Sequence, residues 1–302
     1  VVDITPRELP VIVNGGFLSR EVRIIADRLH SRAIALASKG EVVVIVVVDN
    51  CMVPTVLCDK AKQIAAEKTG IAPEKILICA THTHSAPSVM DLCLGTDLDR
   101  KYTDFLPGKI AESIIKAHAA MQPAKAGWAV FDGSNYTKPR RWVLWPGTDP
   151  DPFGGRTVRA NMHPGYQNPA ATGESGPTDP WFTLFSVIAQ DGSPLALLAN
   201  FSMHYFSGHA GISADYFGRY CKEMAERDAS KGNAFVVALS QGTSGDVWRA
   251  DYRGSRQQSE ISMKQYVAAL TDLTEQAISK IKYHDDTSFI MIILHLPFIL
   301  CL

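Results

Sequence analysis

The chain has 302 residues, with 30 Lys and Arg against 31 Asp and Glu for a net charge of −1. That near-neutral balance gives no electrostatic footprint for nucleic acid or an anionic membrane. Apolar residues make up 46% and charged residues 20%, a soluble globular composition with room for one large core or two smaller ones. Six cysteines (Cys51, Cys58, Cys79, Cys93, Cys221, Cys301) lack CxxC spacing. They argue against a zinc ribbon or a disulfide scaffold and for buried thiols, while their even count leaves an oxidising compartment open. The chain begins at Val1 rather than Met and shows no leader, so its natural start is expected to have been removed.

In chain order, residues 31–37 and 41–49 flank a Ser-Lys-Gly turn and read as a β-hairpin. The second arm carries seven consecutive Val and Ile residues at 42–48, a run that belongs in the middle of a sheet covered on both faces. Pro54 opens a helix to about Lys68, closed by Gly70. A strand over 74–80 follows, and strand, helix, strand in that order predicts a parallel crossover whose loops face a ligand site. A long helix is expected over 99–121 and a strand near 127–131. Residues 133–180 dissolve into Gly, Pro, Asn, Asp and Thr with Trp142, Trp145 and Tyr166 interspersed, which reads as a functional loop or lid. A second hairpin at 182–189 and 195–202 precedes a helix at 216–227, a buried strand at 234–240 and an amphipathic helix at 260–281. The two halves share one element order, which predicts an internal duplication. The apolar tail at 289–302 contains Pro297, is too short to span a bilayer and reads as a buried strand pair or an artificially ended chain.

The chemistry concentrates at the strand exits. In Thr81-His82-Thr83-His84-Ser85-Ala86-Pro87, an extended backbone points both imidazoles to one face, and imidazole is a frequent zinc ligand. His204 follows the apolar run 197–203 at the equivalent place in the second half and is the natural partner of the pair, with His209 an open alternative. Ser240-Gln241-Gly242-Thr243-Ser244-Gly245-Asp246 forms a tight loop at another strand exit. There Asp246 could orient a histidine, bind a second cation or belong to an ordinary turn. Arg140 and Arg141 lie in the long loop, where a permanently charged fork suits an oxyanion and a solvated surface patch is the plainer reading.

These segments resemble the catalytic domain of the neutral (non-lysosomal, alkaline) ceramidase family over most of the chain. The resemblance rests on Asp3-Ile4-Thr5-Pro6, Leu29-His30-Ser31-Arg32-Ala33, Thr69-Gly70-Ile71, the Thr81 to Pro87 segment against the family's THTHSGP, and His204 after Asn200-Phe201. Weaker elements are Tyr166-Gln167-Asn168-Pro169 and Gly245-Asp246-Val247. The family binds one zinc ion and hydrolyses the amide of ceramide to sphingosine and a fatty acid. The resemblance therefore implies that His82 and His204 are zinc ligands, that His84 contacts the reacting oxygen, and that Arg140 or Arg141 assists. It also implies a lipid amide substrate and a secreted or periplasmic location.

Three departures accompany it. Trp248-Arg249-Ala250 stand where the family has Ser-Pro-Asn, which leaves water as the nucleophile. The family's glutamate and tyrosine zinc ligands lie beyond this chain's end, and so does its immunoglobulin-like domain. The expectation is thus a divergent, shortened α/β catalytic domain over 1–302, a layered mixed sheet with flanking helices. It divides into a first half at 1–132, a lid at 133–181 and a second half at 182–302. The expected activity is zinc-dependent amide hydrolysis without nucleic acid or a transmembrane segment. The rivals are hydrolysis of another N-acyl or ester substrate, and a non-catalytic lipid or sugar binder on the same scaffold.

Overall fold

The Val and Ile run forms the covered strand that its composition predicts. A computed structural model describes residues 1–91, 97–206, 208–227 and 235–285, with 287 and 291. Its first half runs β1 (Val2–Asp3), β2 (Val11–Val13), β3 (Arg20–Val22), β4 (His30–Ser38), β5 (Glu41–Val48), α1 (Thr55–Thr69), β6 (Ile76–Ala80) and α2 (Arg100–Ala119). Strands β1, β4, β5 and β6 make one sheet in that order. The β4–β5 hairpin is antiparallel, and α1 carries the chain over to β6, which lies parallel to β5 with Val44 opposite Ile76. Pro54 caps the start of α1 at φ −66°, and Gly70 ends it at φ 72° with its N–H on the Ala66 carbonyl.

The second half repeats this plan. Strand β7 (Ala124–Asp132) leads into β8 (Lys138–Pro139), β9 (Arg141–Leu144), β10 (Ala160–Met162) and β11 (Ala171–Glu174). Then come β12 (Trp181–Ala189), β13 (Pro194–Phe201), α3 (Asp215–Arg227), β14 (Val236–Gln241), β15 (Val247–Trp248), α4 (Arg256–Ser259) and α5 (Met263–Ile278). The second sheet has the order β7, β12, β13, β14, with an antiparallel β12–β13 hairpin and a parallel β13–β14 pair bridged by α3. Each half is therefore hairpin, helix, parallel strand, and the expected duplication exists as shared topology.

The layers follow from which faces are apolar. Ile34 and Val47 of the first sheet pack against Val187, Ala196 and Ala238 of the second. The opposite face of the first sheet, with Val44, Val46 and Ile76, meets Ala61 and Ala65 of α1 and Leu106 and Ile110 of α2. The outer face of the second, with Leu184, Leu197 and Leu239, meets Phe217 and Tyr220 of α3 and Tyr266 and Leu270 of α5. Fully burying one such side chain stabilises by roughly 1.5–3 kcal/mol. The result is four layers: helices, sheet, sheet, helices.

Two expectations change. Residues 133–180 are not structureless, because β9 pairs antiparallel with both β10 and β11. Its alternation of exposed Arg141, buried Trp142 and buried Leu144 is a strand pattern hidden among turn residues. The last long helix begins at Met263 rather than near 260, because Ser262 and Gln265 form a capping box there. Cys58, Cys79 and Cys221 carry free thiols, and burial pushes Cys79 and Cys221 up to about 11. The predicted tail strands, apart from Met291, and Cys93 and Cys301 lie outside the described residues. No helix among the described residues is long and apolar enough to cross a membrane.

Candidate metal centre

Both parallel pairs end at the same edge of the sandwich, and that edge gathers the histidines. After β6, Thr81 still donates to the Val48 carbonyl, and the His82 N–H donates to the Asn50 carbonyl. The backbone then leaves the extended form. His82 has φ 71°, a left-handed conformation that costs a residue other than glycine on the order of 1–3 kcal/mol. The two imidazoles converge as expected, but through this turn and not through strand alternation. Buried Thr83 anchors the turn by donating to the Ser213 carbonyl at 2.7 Å.

The rings are oriented from behind. His82 Nδ1 lies 3.0 Å from the Cys51 carbonyl, an acceptor that places the proton on Nδ1 and leaves the Nε2 lone pair open. That Nε2 is 3.1 Å from His84 Nε2. The His84 ring stacks on Tyr205 at 3.6 Å between centroids. Gly15, at φ 96°, passes so close behind His84 that a Cβ there would lie 2.4 Å from the His84 Cβ, so only glycine fits. Buried His204 sits with its ring 4.8 Å from His82 and 5.5 Å from His84, and its Nδ1 is 3.2 Å from Ser244 Oγ. His209 is engaged elsewhere, with Nε2 3.0 Å from Asp215.

Arg140 reaches this cluster and Arg141 does not. Arg140 holds the Gly245 carbonyl through Nε at 3.0 Å and Nη2 at 2.6 Å, and its backbone N–H donates to the Asp246 carbonyl. Arg141 is exposed on β9. Asp246 stands near Arg140, but among the described residues its carboxylate forms no hydrogen bond or ion pair. The contact that orients His204 comes instead from Ser244 in the same loop. Ser244, Tyr205 and the Cys51 carbonyl were not singled out from the sequence. Ser244 lies inside the quoted loop at 240–246, where no role was given to it, and Tyr205 adjoins His204, but a carbonyl contact leaves no trace in residue type.

Burial, followed by the charge of Arg140 and the neighbouring histidines, pushes His204 down to about 2. Burial and then His82 push His84 down to about 4, and burial also lowers His82. All three rings are therefore neutral at pH 7, the ligating form. Cys51 Sγ, His82 and His84 also present ligand atoms within 4.8 Å of one another. Neutral imidazole nitrogens beside a thiol form a donor set that suits zinc. One pH consequence follows for the metal-free chain. The unfolded histidines take up protons near 6.5 while the folded ones resist, so stability is full above that value and falls as pH drops. The melting temperature should therefore be lower at pH 5 than at pH 7.5, and a flat or rising profile would count against these environments.

The like-built sheets, outer helices and converging imidazoles define a four-layer α/β scaffold with a histidine centre between its halves. Among solved structures it is similar to neutral ceramidase from Pseudomonas aeruginosa, with TM-score 0.67 and 20% identity over 93% of this chain and 43% of that one. A ceramidase complexed with C2 matches at TM-score 0.68 and 20% identity, over 92% and 43% of the two chains. The chain thus has the neutral ceramidase fold and spans less than half the length of those proteins. No protein-family model matches it, and no curated protein matches it.

Proposed function

We propose that this chain carries the histidine centre of a zinc-dependent hydrolase that cleaves an amide bond, similar to the neutral ceramidases whose fold it shares. The carrying observation is the convergence of three neutral imidazoles from both halves, two of them oriented by hydrogen bonds on their Nδ1 atoms. His82 and His204 would hold the ion, which when bound supplies Lewis acidity toward a carbonyl oxygen. The chain's own groups serve the rest of the reaction. Water adds to the amide carbon, the C–N bond breaks, and a proton passes to the departing nitrogen. His84, neutral at pH 7 and stacked on Tyr205, would contact the reacting oxygen and, with Arg140, stabilise the charge that develops on it. Arg140 remains charged beside the rings and supports negative charge developing on the carbonyl oxygen. The excursion at 133–180 brings Arg140 and His163 to the cleft, consistent with the role of a lid.

The test loads the purified chain with zinc, measures the bound metal and assays ceramide, short N-acyl amides and esters. About one equivalent of zinc and hydrolysis of an amide are expected. Less than about one-tenth equivalent of zinc after loading, with no turnover, would sink the reading and favour the non-catalytic binder.

A further inference from the structure

The surroundings of the histidines hold a second arginine besides Arg140, and both act on the neighbouring His163. Trp248 lies there, with its ring 6.2 Å from His204, 5.4 Å from Tyr205 and 5.0 Å from His163. The next residue, Arg249, is half-buried, with its guanidinium carbon 4.0 Å from the Phe206 ring centroid and 4.6 Å from that of Trp248. Its Nη1 donates to the Phe206 carbonyl at 2.7 Å. Most of its donors remain uncommitted, and among the described residues no carboxylate lies within ion-pair distance.

The contrast with Arg32 is informative. Arg32 is also buried, but its Nη1 donates to both oxygens of Asp49 at 2.8 and 2.7 Å. Arg140 and Arg249 instead direct their side-chain hydrogen bonds to carbonyl oxygens, those of Gly245 and Phe206. The two arginines are tied to one another's surroundings, since β8 pairs with β15 and sets Lys138 opposite Trp248. Burial lowers the proton affinity of His163 most, and both arginines lower it further, so their fields meet at one imidazole. The negative group that acts most on Arg249 is Asp215, which is fully buried and binds His209. Partly dehydrated cations whose counter-charges, Asp215 and Asp246, stand beyond ion-pair distance are costly, and a ligand that brings a carboxylate into contact offsets that cost.

We propose that the amide taken by this site bears a carboxylate, which Arg249 binds while the scissile carbonyl lies at the histidines and Arg140. The planar fork of a guanidinium fits a carboxylate in two-point contact, and its rear face is already fixed on Phe206 and Trp248. The substrate class is then an N-acyl amino acid type, and Arg249 is the residue that sets the preference. This inference rests on the hydrolase reading for its reaction but not for its binding step.

The experiment is calorimetric binding to the metal-free full chain, with N-lauroylglycine compared with N-lauroylethanolamine. The two share the acyl chain and amide and differ in carboxylate against neutral hydroxyl. The carboxylate should bind roughly ten-fold or more tightly, the scale of one charged hydrogen-bonded contact. Arg249→Gln, which can still donate to the Phe206 carbonyl, should erase the preference, and Arg249→Lys should keep part of it. Equal affinities in the unaltered chain would overturn the proposal without any variant. A preference that survives Arg249→Gln in a protein with unchanged melting would overturn it as well. Preference without turnover by the zinc-loaded chain upholds the anion site and removes the hydrolase reading alone.

Discussion

On the proposed zinc hydrolase reading, His82→Asn should abolish zinc binding and amide hydrolysis while leaving the fold in place. Asparagine accepts the left-handed conformation that this position requires at φ 71°, so the backbone cost stays close to that of the native residue. What it removes is the Nε2 donor, 3.1 Å from His84 and one ring contact from His204. Altering a group that merely orients a metal ligand typically weakens metal binding by about 10–100-fold, so loss of a ligand itself should exceed that range. Metal analysis after dialysis, amide turnover and thermal melting together read the result. His204→Ala combined with His82→Asn should add little, because two groups serving one ion act as a unit. Zinc retention unchanged in His82→Asn would separate the histidine cluster from metal binding altogether.

The largest effect on stability should come from a residue that touches no ligand. Asp49→Ala should destabilise the protein by about 3–5 kcal/mol, the usual cost of leaving one member of a buried ion pair without its partner. Asp49 is fully buried and accepts from Arg32 with both oxygens and from the His30 N–H at 2.8 Å. Without it the Arg32 guanidinium keeps its charge in a site closed to water. Denaturant unfolding measures the loss, and a value below about 1 kcal/mol would show that the pocket relaxes around the free charge. Asp49→Ala with Arg32→Met should be less damaging than the two single changes taken together, since the charge has gone as well. The effect also reaches the histidine cluster, because Asp49 immediately precedes Asn50 and Cys51. Their carbonyls take the His82 N–H and face its Nδ1. Weaker zinc binding should therefore accompany the lost stability.

Much of this architecture was legible in residue order. The Val and Ile run marked β5, Pro54 and Gly70 bracketed α1, and the two hairpin–helix–strand units emerged as the two sheets. His82, His84 and His204 were also readable, because each follows an apolar strand at a matching place. Less accessible was anything decided by a single backbone angle or a distant carbonyl. The left-handed turn at His82 has no compositional mark, and neither has the Cys51 carbonyl that orients its ring. Strand β9 was masked because its alternation spans only four residues inside a Gly- and Pro-rich stretch. Arg140 could not be told from Arg141 by type, and it took the antiparallel pairing of β8 with β15 to bring one of them to the rings.

The face-to-face packing of the two sheets has a thermodynamic consequence. His82 rides on the exit of the first sheet and His204 on the exit of the second, so anything bound between them grips both halves at once. The seam beneath is apolar, with Ile34 and Val47 against Val187, Ala196 and Ala238. Sliding one sheet over the other changes the gap between the two imidazoles. Affinity for a small cation then becomes a ruler of how the halves are docked, and saturating cation in turn stabilises the docked arrangement against any other.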